Sequence, residues 1–223
     1  YSSGEQAGAK AEDAFELSSN DPVFDSADKF AVWTIKTTDK DSRTVKALNL
    51  HKDLLKFHKN DADKSAYIDA DLDRLNFGKN KAFGENKNDR YRAALKNLIN
   101  DWADHRISAR ARFNLAQSLD QDGDKVQAHK IASQGRNAFP KTPGGAMCHN
   151  LVNQIESKTS NVTIERVWND PQPDVMIKYR NVDQIHFRVV AENWEDAMKR
   201  KRGNPQWLDQ NEKKALLHKN REI

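Results

Sequence analysis

The spacing of apolar residues changes close to Ser160, and this change constrains the fold more than any other feature of the sequence. From about residue 23 to residue 157, apolar residues recur at intervals typical of amphipathic helices. Beyond Ser160 they alternate with polar residues, as in a strand with one buried face. The sequence therefore predicts a mainly α chain, with a flexible leader at 1–22, a helical domain at 23–159 and an incomplete β domain at 160–223.

The helical region divides into amphipathic segments joined by short polar turns. Ser42 is placed to cap the first long helix, Gly78 to end the next one and Pro143 to open the last. The apolar stripes comprise Val45, Leu48, Leu54, Leu55 and Phe57; Ile68, Leu72 and Leu75; Tyr91, Ala94, Leu95, Leu98, Ile99 and Trp102; Ala109, Phe113, Ala116 and Leu119; Val126, Ala128, Ile131, Ala132 and Ala138; and Met147, Leu151 and Ile155. Short turns between such helices indicate antiparallel pairs stacked into a right-handed solenoid.

One unit of about 34 residues, starting at Ala109, follows the tetratricopeptide pattern. Its seventh, eighth, eleventh, twentieth, twenty-seventh and thirty-second positions are Leu115, Ala116, Leu119, Ala128, Gly135 and Pro140. The small residues in this pattern let two antiparallel helices approach closely, and the proline ends the second helix. Because the neighbouring segments lack the signature, the array is predicted to be tetratricopeptide-like, and an irregular helical bundle is the alternative.

Three short runs of alternating apolar residues follow Ser160. Their apolar residues are Val162 and Ile164, then Val175, Ile177 and Tyr179, and finally Ile185, Phe187 and Val189. These runs predict the opening of an antiparallel β-sandwich. From Asn193 onward the chain is polar and helical again, with Asp209 and Glu212 spaced as in a capping box. Because three strands cannot close a sandwich, the sequence is interpreted as a piece of a larger polypeptide.

Charge is spread evenly along the chain, in which 31% of residues are charged and the net charge is +4. Nucleic-acid-binding proteins concentrate lysine and arginine on one face, whereas the densest basic run here is confined to residues 199–202. We therefore expect no nucleic-acid partner.

The sequence has no apolar run of about 18 residues, so no membrane span is expected within it. It begins at Tyr1 without methionine, and its leader lacks the apolar centre of a signal peptide, which favours a mature fragment.

The residues that could carry chemistry fit structural roles better. Cys148, the only cysteine, adjoins an apolar stripe. The neighbouring His149 points about 100° away on a helix, so a buried thiol is predicted rather than a nucleophile. His51 and His58 are separated by two helical turns, about 10 Å, which is too far for one zinc ion, and they are predicted to lie at a helix contact.

Two alternating aspartate clusters resemble calcium loops. They consist of Asp69, Asp71 and Asp73, and of Asp120, Asp122 and Asp124. A calcium-binding EF-hand loop needs glycine at its sixth position and glutamate at its twelfth. Those positions hold Arg74 and Asn80 in the first cluster and Lys125 and Ile131 in the second. Helix caps and turns are therefore the predicted roles.

Three further patterns are weak signals. Gly144 and Gly145 follow a proline at a helix start, where turn geometry explains them. Asn161-Val162-Thr163 fits the glycosylation acceptor pattern, which is common by chance. Trp168, Trp194 and Trp207 are interpreted as core and linker packing rather than a binding surface. The chain is thus predicted not to be an enzyme: no catalytic, cofactor-binding or metal-binding residue is assigned, no cofactor is expected, and binding residues stay open.

A set of short strings makes the stretch from Ala70 to about Asp196 similar to the amino-terminal part of large bacterial alpha-2-macroglobulin-like proteins of the kind found in Bacteroidetes. The strings are Asp69-Ala70-Asp71-Leu72, Phe77-Gly78-Lys79-Asn80, Arg90-Tyr91-Arg92-Ala93-Ala94-Leu95-Lys96, Ala138-Phe139-Pro140, Pro143-Gly144-Gly145, Cys148-His149-Asn150-Leu151, Glu165-Arg166-Val167-Trp168-Asn169 and Tyr179-Arg180-Asn181-Val182. They cover more than half of the chain, and their order is more specific than any one of them.

The resemblance implies a cell-envelope protein, periplasmic or associated with the outer membrane, that contains many macroglobulin-type sandwich domains. Members of this family are protease traps, and in many of them a thioester in a Cys-x-Glu-Gln sequence captures the protease. Here Cys148 is followed by His149, Asn150 and Leu151, so neither a thioester nor a bait segment is assigned to this chain. The implied role is a non-catalytic scaffold or interaction module whose partners are other domains of the same polypeptide and proteases.

A different class of function is a peptide- or protein-binding adaptor, because stacked helical repeats present a concave face to extended ligands. The carboxylate-clamp form of such binding resembles a lysine at the fifth repeat position and an asparagine at the ninth. This chain has Phe113 and Gln117 at these positions, which disfavours the carboxylate clamp but leaves other modes of peptide binding open. A glycan-uptake helper built on similar helices is a third, weaker interpretation.

Overall fold

The computed structural model describes residues 13–164, 174–185, 193–200, 209–211 and 214–215. The chain forms two compact units that divide between Ser157 and Lys158. After a short 3-10 helix, Pro22–Phe24, the first unit contains α1 (Ala27–Val32), α2 (Arg43–His58), α3 (Ser65–Lys81), α4 (Lys87–Asp101), α5 (Ser108–Gln121), α6 (Lys125–Ala138) and α7 (Pro143–Glu156). The second unit contains β1 (Thr159–Thr163), β2 (Met176–Arg180) and α8 (Trp194–Arg200). The prediction of a mainly helical chain with antiparallel strands after it is confirmed.

Side-chain caps mark the starts of α2 and α7. The Ser42 hydroxyl accepts a hydrogen bond from the Val45 amide at 3.3 Å, as predicted. Pro143 opens α7, and the Thr142 hydroxyl accepts from the Gly145 amide at 3.1 Å. The predicted stop at Gly78 is wrong, because α3 continues to Lys81. Gly78 instead lies buried at a contact where an added Cβ would come within 2.9 Å of Phe24 and Val23.

Consecutive helices pack against each other from α1 to α7, and α5 also contacts α7. The larger core cluster joins the 3-10 helix to α1–α5 through large side chains, among them Phe24, Phe30, Leu72 and Leu95. The smaller one lies between α5, α6 and α7 and consists of Ala116, Ala128, Ala132, Cys148, Leu151 and Val152. Its small residues allow close approach of these three helices.

Some residues assigned to apolar stripes lie on the outside. Phe57 is 77% exposed and Val126 is 78% exposed, and Ala138 is exposed as well. Phe57 follows the buried Leu55 by two positions, and Val126 precedes the buried Ala128 by two. Residues two apart point to different faces of a helix, so the stripes are narrower than predicted.

Residues 13–21 pack on the helical unit, whereas the sequence assigned them to a flexible leader. Leu17 is buried in the larger core cluster. The Ser19 amide donates to the Phe83 carbonyl at 2.7 Å, and the Phe83 amide donates to the Leu17 carbonyl at 3.0 Å. Two large apolar side chains, Phe15 and Leu17, in an otherwise polar stretch are a weak sequence signal, which explains the difference. Residues 1–12 lie outside the described part of the chain.

In the second unit, β1 and β2 pair antiparallel, with Thr159 opposite Arg180 and Thr163 opposite Met176. Val162 faces Ile177 across the pair, yet Val162 and Tyr179 are exposed, so the buried face expected from their alternation is not seen among the described residues. The third predicted strand falls mainly outside those residues. α8 begins where predicted, and the Asn193 side chain accepts hydrogen bonds from two amides of its first turn. None of the described helices is both long and apolar enough to cross a membrane.

Candidate functional site

A cleft of about 470 Å³ opens where three parts of the helical unit meet. One wall is the N-terminal strap, which we define as residues 18–28, and the others are α3 and the last turns of α4. Its volume falls in the range usual for ligand sites, about 300–1,000 Å³. Its lining combines carboxylates, amides and aromatic rings. This mixture makes it a candidate binding site.

Arg74 forms the floor of the cleft and holds the strap in place. Its side chain is 1% exposed and its guanidinium contacts Asp71, one turn earlier on α3, at 2.6 Å. It also donates to the carbonyl of Val23 at 3.1 Å and to that of Asp25 at 2.8 Å, and it lies 4.9 Å from the centre of the Phe30 ring. These contacts pair a buried charge and clamp the strap to α3, and Nε of Arg74 is left without a hydrogen-bond partner among the described residues.

Asp71 is the most deeply placed carboxylate of the cleft, with 9% of its surface exposed. Burial raises its pKa above the ordinary value, and the positive charge of Arg74 opposes that rise. Oδ1 contacts the Arg74 guanidinium but is buried without a hydrogen-bond partner among the described residues. One oxygen of this carboxylate is therefore left for a further donor.

Arg90 anchors the strap from α4. Its guanidinium contacts the Asp25 carboxylate at 2.7 Å and donates to the carbonyls of Ser19 and Asp21, the second at 3.2 Å. With Arg74, this arrangement fixes the strap by two arginines from two helices. The wall formed by the strap is therefore pre-organised for binding.

Two aromatic rings stand at the rim. Tyr67 and Trp102 meet edge to face with their centroids 6.4 Å apart, and both are half-buried. Burial, followed by the carboxylates of Asp71 and Asp28, raises the pKa of Tyr67. The positive charge of Arg74 opposes this rise in the pKa of Tyr67.

Cys148 is buried, as predicted, and does not meet His149. Its thiol lies 3.4 Å from the Ala109 carbonyl, and burial raises its pKa to about 11. His149 is exposed and contacts Asn153 on its own helix at 3.0 Å. The adjacent cysteine and histidine therefore form no thiolate and imidazole pair.

We expect the Cys148 thiol to react slowly with Ellman's reagent in the folded chain. Raising a thiol pKa from 9.0 to about 11 lowers the thiolate fraction at pH 8 by about 100-fold, and the buried position slows the reaction further. The folded chain binds this proton more tightly than the unfolded chain, so its contribution to stability is lost as pH rises from 9 to about 11. Stopped-flow absorbance with and without guanidinium measures both rates, and equal rates would contradict the prediction.

The two aspartate clusters make ion pairs and a cap rather than converging on one point. Arg110 contacts Asp69 and Asp73, Arg74 contacts Asp71, Lys125 contacts Asp120, and Arg92 contacts Asp122. Asp124 caps α6 by accepting from the Gln127 amide at 3.1 Å. In the described ranges no three His, Cys, Asp or Glu side chains are placed to share a metal ion.

The remaining sequence candidates are dispersed. His51 stacks on Phe77 with centroids 5.4 Å apart, and burial and then Arg74 lower its pKa. His58 contacts Asp61 at 2.7 Å. Asn161 and Thr163 are exposed on β1. The Trp168 and Trp207 residues and the side chain of Trp194 lie outside the described part of the chain.

The cleft was not predicted from the sequence. One signal was available: Asp71 and Arg74 are three residues apart and adjoin Leu72 and Leu75, inside the apolar stripe of α3. A charged pair at that spacing within a buried stripe indicates a buried ion pair. That this pair lies beneath the strap could be seen only in the three-dimensional structure.

No protein-family model matches the chain, and neither a curated protein nor a solved structure shows significant similarity to it.

Proposed function

We propose that this chain is the non-catalytic, amino-terminal scaffold and interaction module of a large alpha-2-macroglobulin-like protein of the cell envelope. The full polypeptide would act as a protease trap, with other domains of the same chain and proteases as partners. The observation that carries the proposal is the order of elements: an array of packed helix pairs followed directly by antiparallel strands. The same order occurs in the family that the sequence strings resemble.

The packing of α5, α6 and α7 supports a tetratricopeptide-like array. Ala116 and Ala128, at the eighth and twentieth repeat positions, are fully buried. Gly135, at the twenty-seventh, approaches so closely that an added Cβ would lie 2.6 Å from the Cys148 sulfur. Small residues at these positions allow the tight helix pairing on which such arrays depend.

The state of the one cysteine supports a non-catalytic role. Nucleophilic catalysis uses the thiolate, which needs a lowered pKa and an accessible sulfur. Cys148 is buried with a raised pKa, and its sulfur fills the space beside Gly135. This cysteine acts as a packing residue.

The proposed role is tested with the complete native polypeptide that contains this chain. A trap encloses a protease without blocking its active site. The polypeptide, mixed with trypsin, should therefore suppress cleavage of a large protein substrate and spare cleavage of a small chromogenic peptide. Both activities are measured in one titration, with heat-denatured polypeptide as control. Equal loss of both activities, or of neither, would contradict the proposal.

The cleft favours a second candidate, a peptide- or protein-binding adaptor. It is a polar and aromatic concavity whose walls are fixed by two arginine clamps, Arg74 and Arg90. Such pre-organisation lowers the cost of binding. An adaptor would bind its ligand as the isolated chain, independently of any trapping activity.

A further inference from the structure

We propose that the cleft binds a basic side chain, lysine or arginine, presented by an extended segment of a partner protein. The inference rests on the interaction role proposed above and specifies the chemistry that the partner must carry. It is argued from the end of α4, the carboxylates of the cleft, the buried Asp71 oxygen that lacks a hydrogen bond, and the aromatic rim.

The C-terminal turn of α4 forms one wall of the cleft, with Asn97, Asn100 and Asp101 along it. Backbone carbonyls at a helix C-terminus carry a partial negative charge, which basic residues of the last turn commonly offset. The last turn of α4 has no basic residue and ends in Asp101. A cation from another chain would therefore be stabilised at this position.

Carboxylates outnumber basic groups around the cleft. Asp25, Asp28 and Asp71 are paired with Arg90, Lys59 and Arg74, respectively. Asp101 has no basic partner among the described residues and is exposed. The remaining negative charge lies on the side of the cleft formed by α4, so a ligand cation would be drawn there.

The floor of the cleft offers an acceptor. Asp71 is nine-tenths buried and lines the cleft, and its Oδ1, which contacts the Arg74 guanidinium, has no hydrogen-bond partner among the described residues. A buried carboxylate oxygen without a donor is unfavourable. An ammonium or guanidinium group that reached the floor would donate to this oxygen.

The aromatic rim suits the long stem of such a side chain. Tyr67 and Trp102 present half-buried rings beside the carboxylates. Methylene groups of lysine or arginine pack on aromatic surfaces, and their cations are attracted to the ring faces. The exposed amides of Asn97 and Asn100 can hydrogen-bond the backbone of an extended segment. A cleft of about 470 Å³ has room for one long side chain.

The proposal is tested with the whole 223-residue chain. Short acetylated and amidated Gly/Ser peptides carry arginine, lysine, citrulline or norleucine at one central position, and binding is followed by calorimetry and tryptophan fluorescence. Saturable binding of the arginine and lysine peptides, with none of the citrulline and norleucine peptides, is the expected result. No saturable binding, or equal binding of citrulline and arginine, would overturn the proposal.

The matched variants are Asp101→Asn in the cleft and Asp104→Asn outside it, both exposed carboxylates on neighbouring turns. Asp101→Asn should weaken arginine-peptide binding by about fivefold, while Asp104→Asn leaves it unchanged. Equal effects would indicate non-specific attraction and contradict a site in the cleft. Because this assay uses the isolated chain, its failure would leave the trapping test untouched, and the reverse holds as well.

Discussion

Replacing Arg74 by methionine is expected to lower the free energy of unfolding of the helical unit by about 3–5 kcal/mol. The change leaves the buried Asp71 carboxylate without its counter-ion and removes the donors to the Val23 and Asp25 carbonyls. Methionine keeps most of the apolar stem, so the loss reflects charge and hydrogen bonding more than volume. Urea denaturation followed by circular dichroism measures the change.

The control for this substitution is Arg110→Met. Arg110 also contacts two aspartates, Asp69 and Asp73, but its side chain is 37% exposed, so a loss below about 1 kcal/mol is expected. Hydrogen exchange gives a local readout, because Arg74→Met should speed exchange of the Ser19 amide on the strap, and Arg110→Met should not. If both variants lost the same stability, Arg74 would not be the clamp described above.

Local sequence rules predicted most of the helical unit. Ser42 and Pro143 mark helix starts because capping and proline geometry depend on a few adjacent residues. The apolar stripe of α4 was an equally clear sequence signal, and its residues Tyr91 and Leu95 are buried as predicted. Gly78 was misinterpreted, because a glycine inside a helix at a packing contact has the same sequence appearance as a helix stop.

Local sequence rules could not predict the cleft, because its walls come from segments that are far apart in the sequence. Arg74 on α3 bonds to carbonyls about 50 residues earlier, and Arg90 on α4 bonds to the same strap. The strap is held by Leu17, which precedes it, and by its own buried residues Val23 and Phe24. Hydrophobic periodicity reports the buried face of a helix, but it does not report which chain segment covers that face. The partners of Arg74 therefore could not be named in advance.

Replacing Gly145 by alanine is expected to destabilise the helical unit by about 3 kcal/mol. An added Cβ would lie 1.9 Å from the Phe139 carbonyl oxygen and 2.8 Å from its carbon, both of which are backbone atoms. Backbone cannot give way as a flexible side chain can, so α7 must shift away from the turn that precedes it. The higher helix propensity of alanine returns only about 1 kcal/mol.

Two controls separate this clash from other effects of adding a methyl group. Gly123→Ala adds a Cβ in open space at a φ of +90°, so its cost comes from backbone conformation alone, about 1 kcal/mol. Asn150→Ala changes an exposed position of α7 and should shift stability by no more than about 0.5 kcal/mol. A shift of α7 would also loosen the packing around Cys148, so Gly145→Ala should speed its reaction with Ellman's reagent while Gly123→Ala does not. A Gly145→Ala chain with an unchanged urea midpoint would show that α7 does not pack as closely as described.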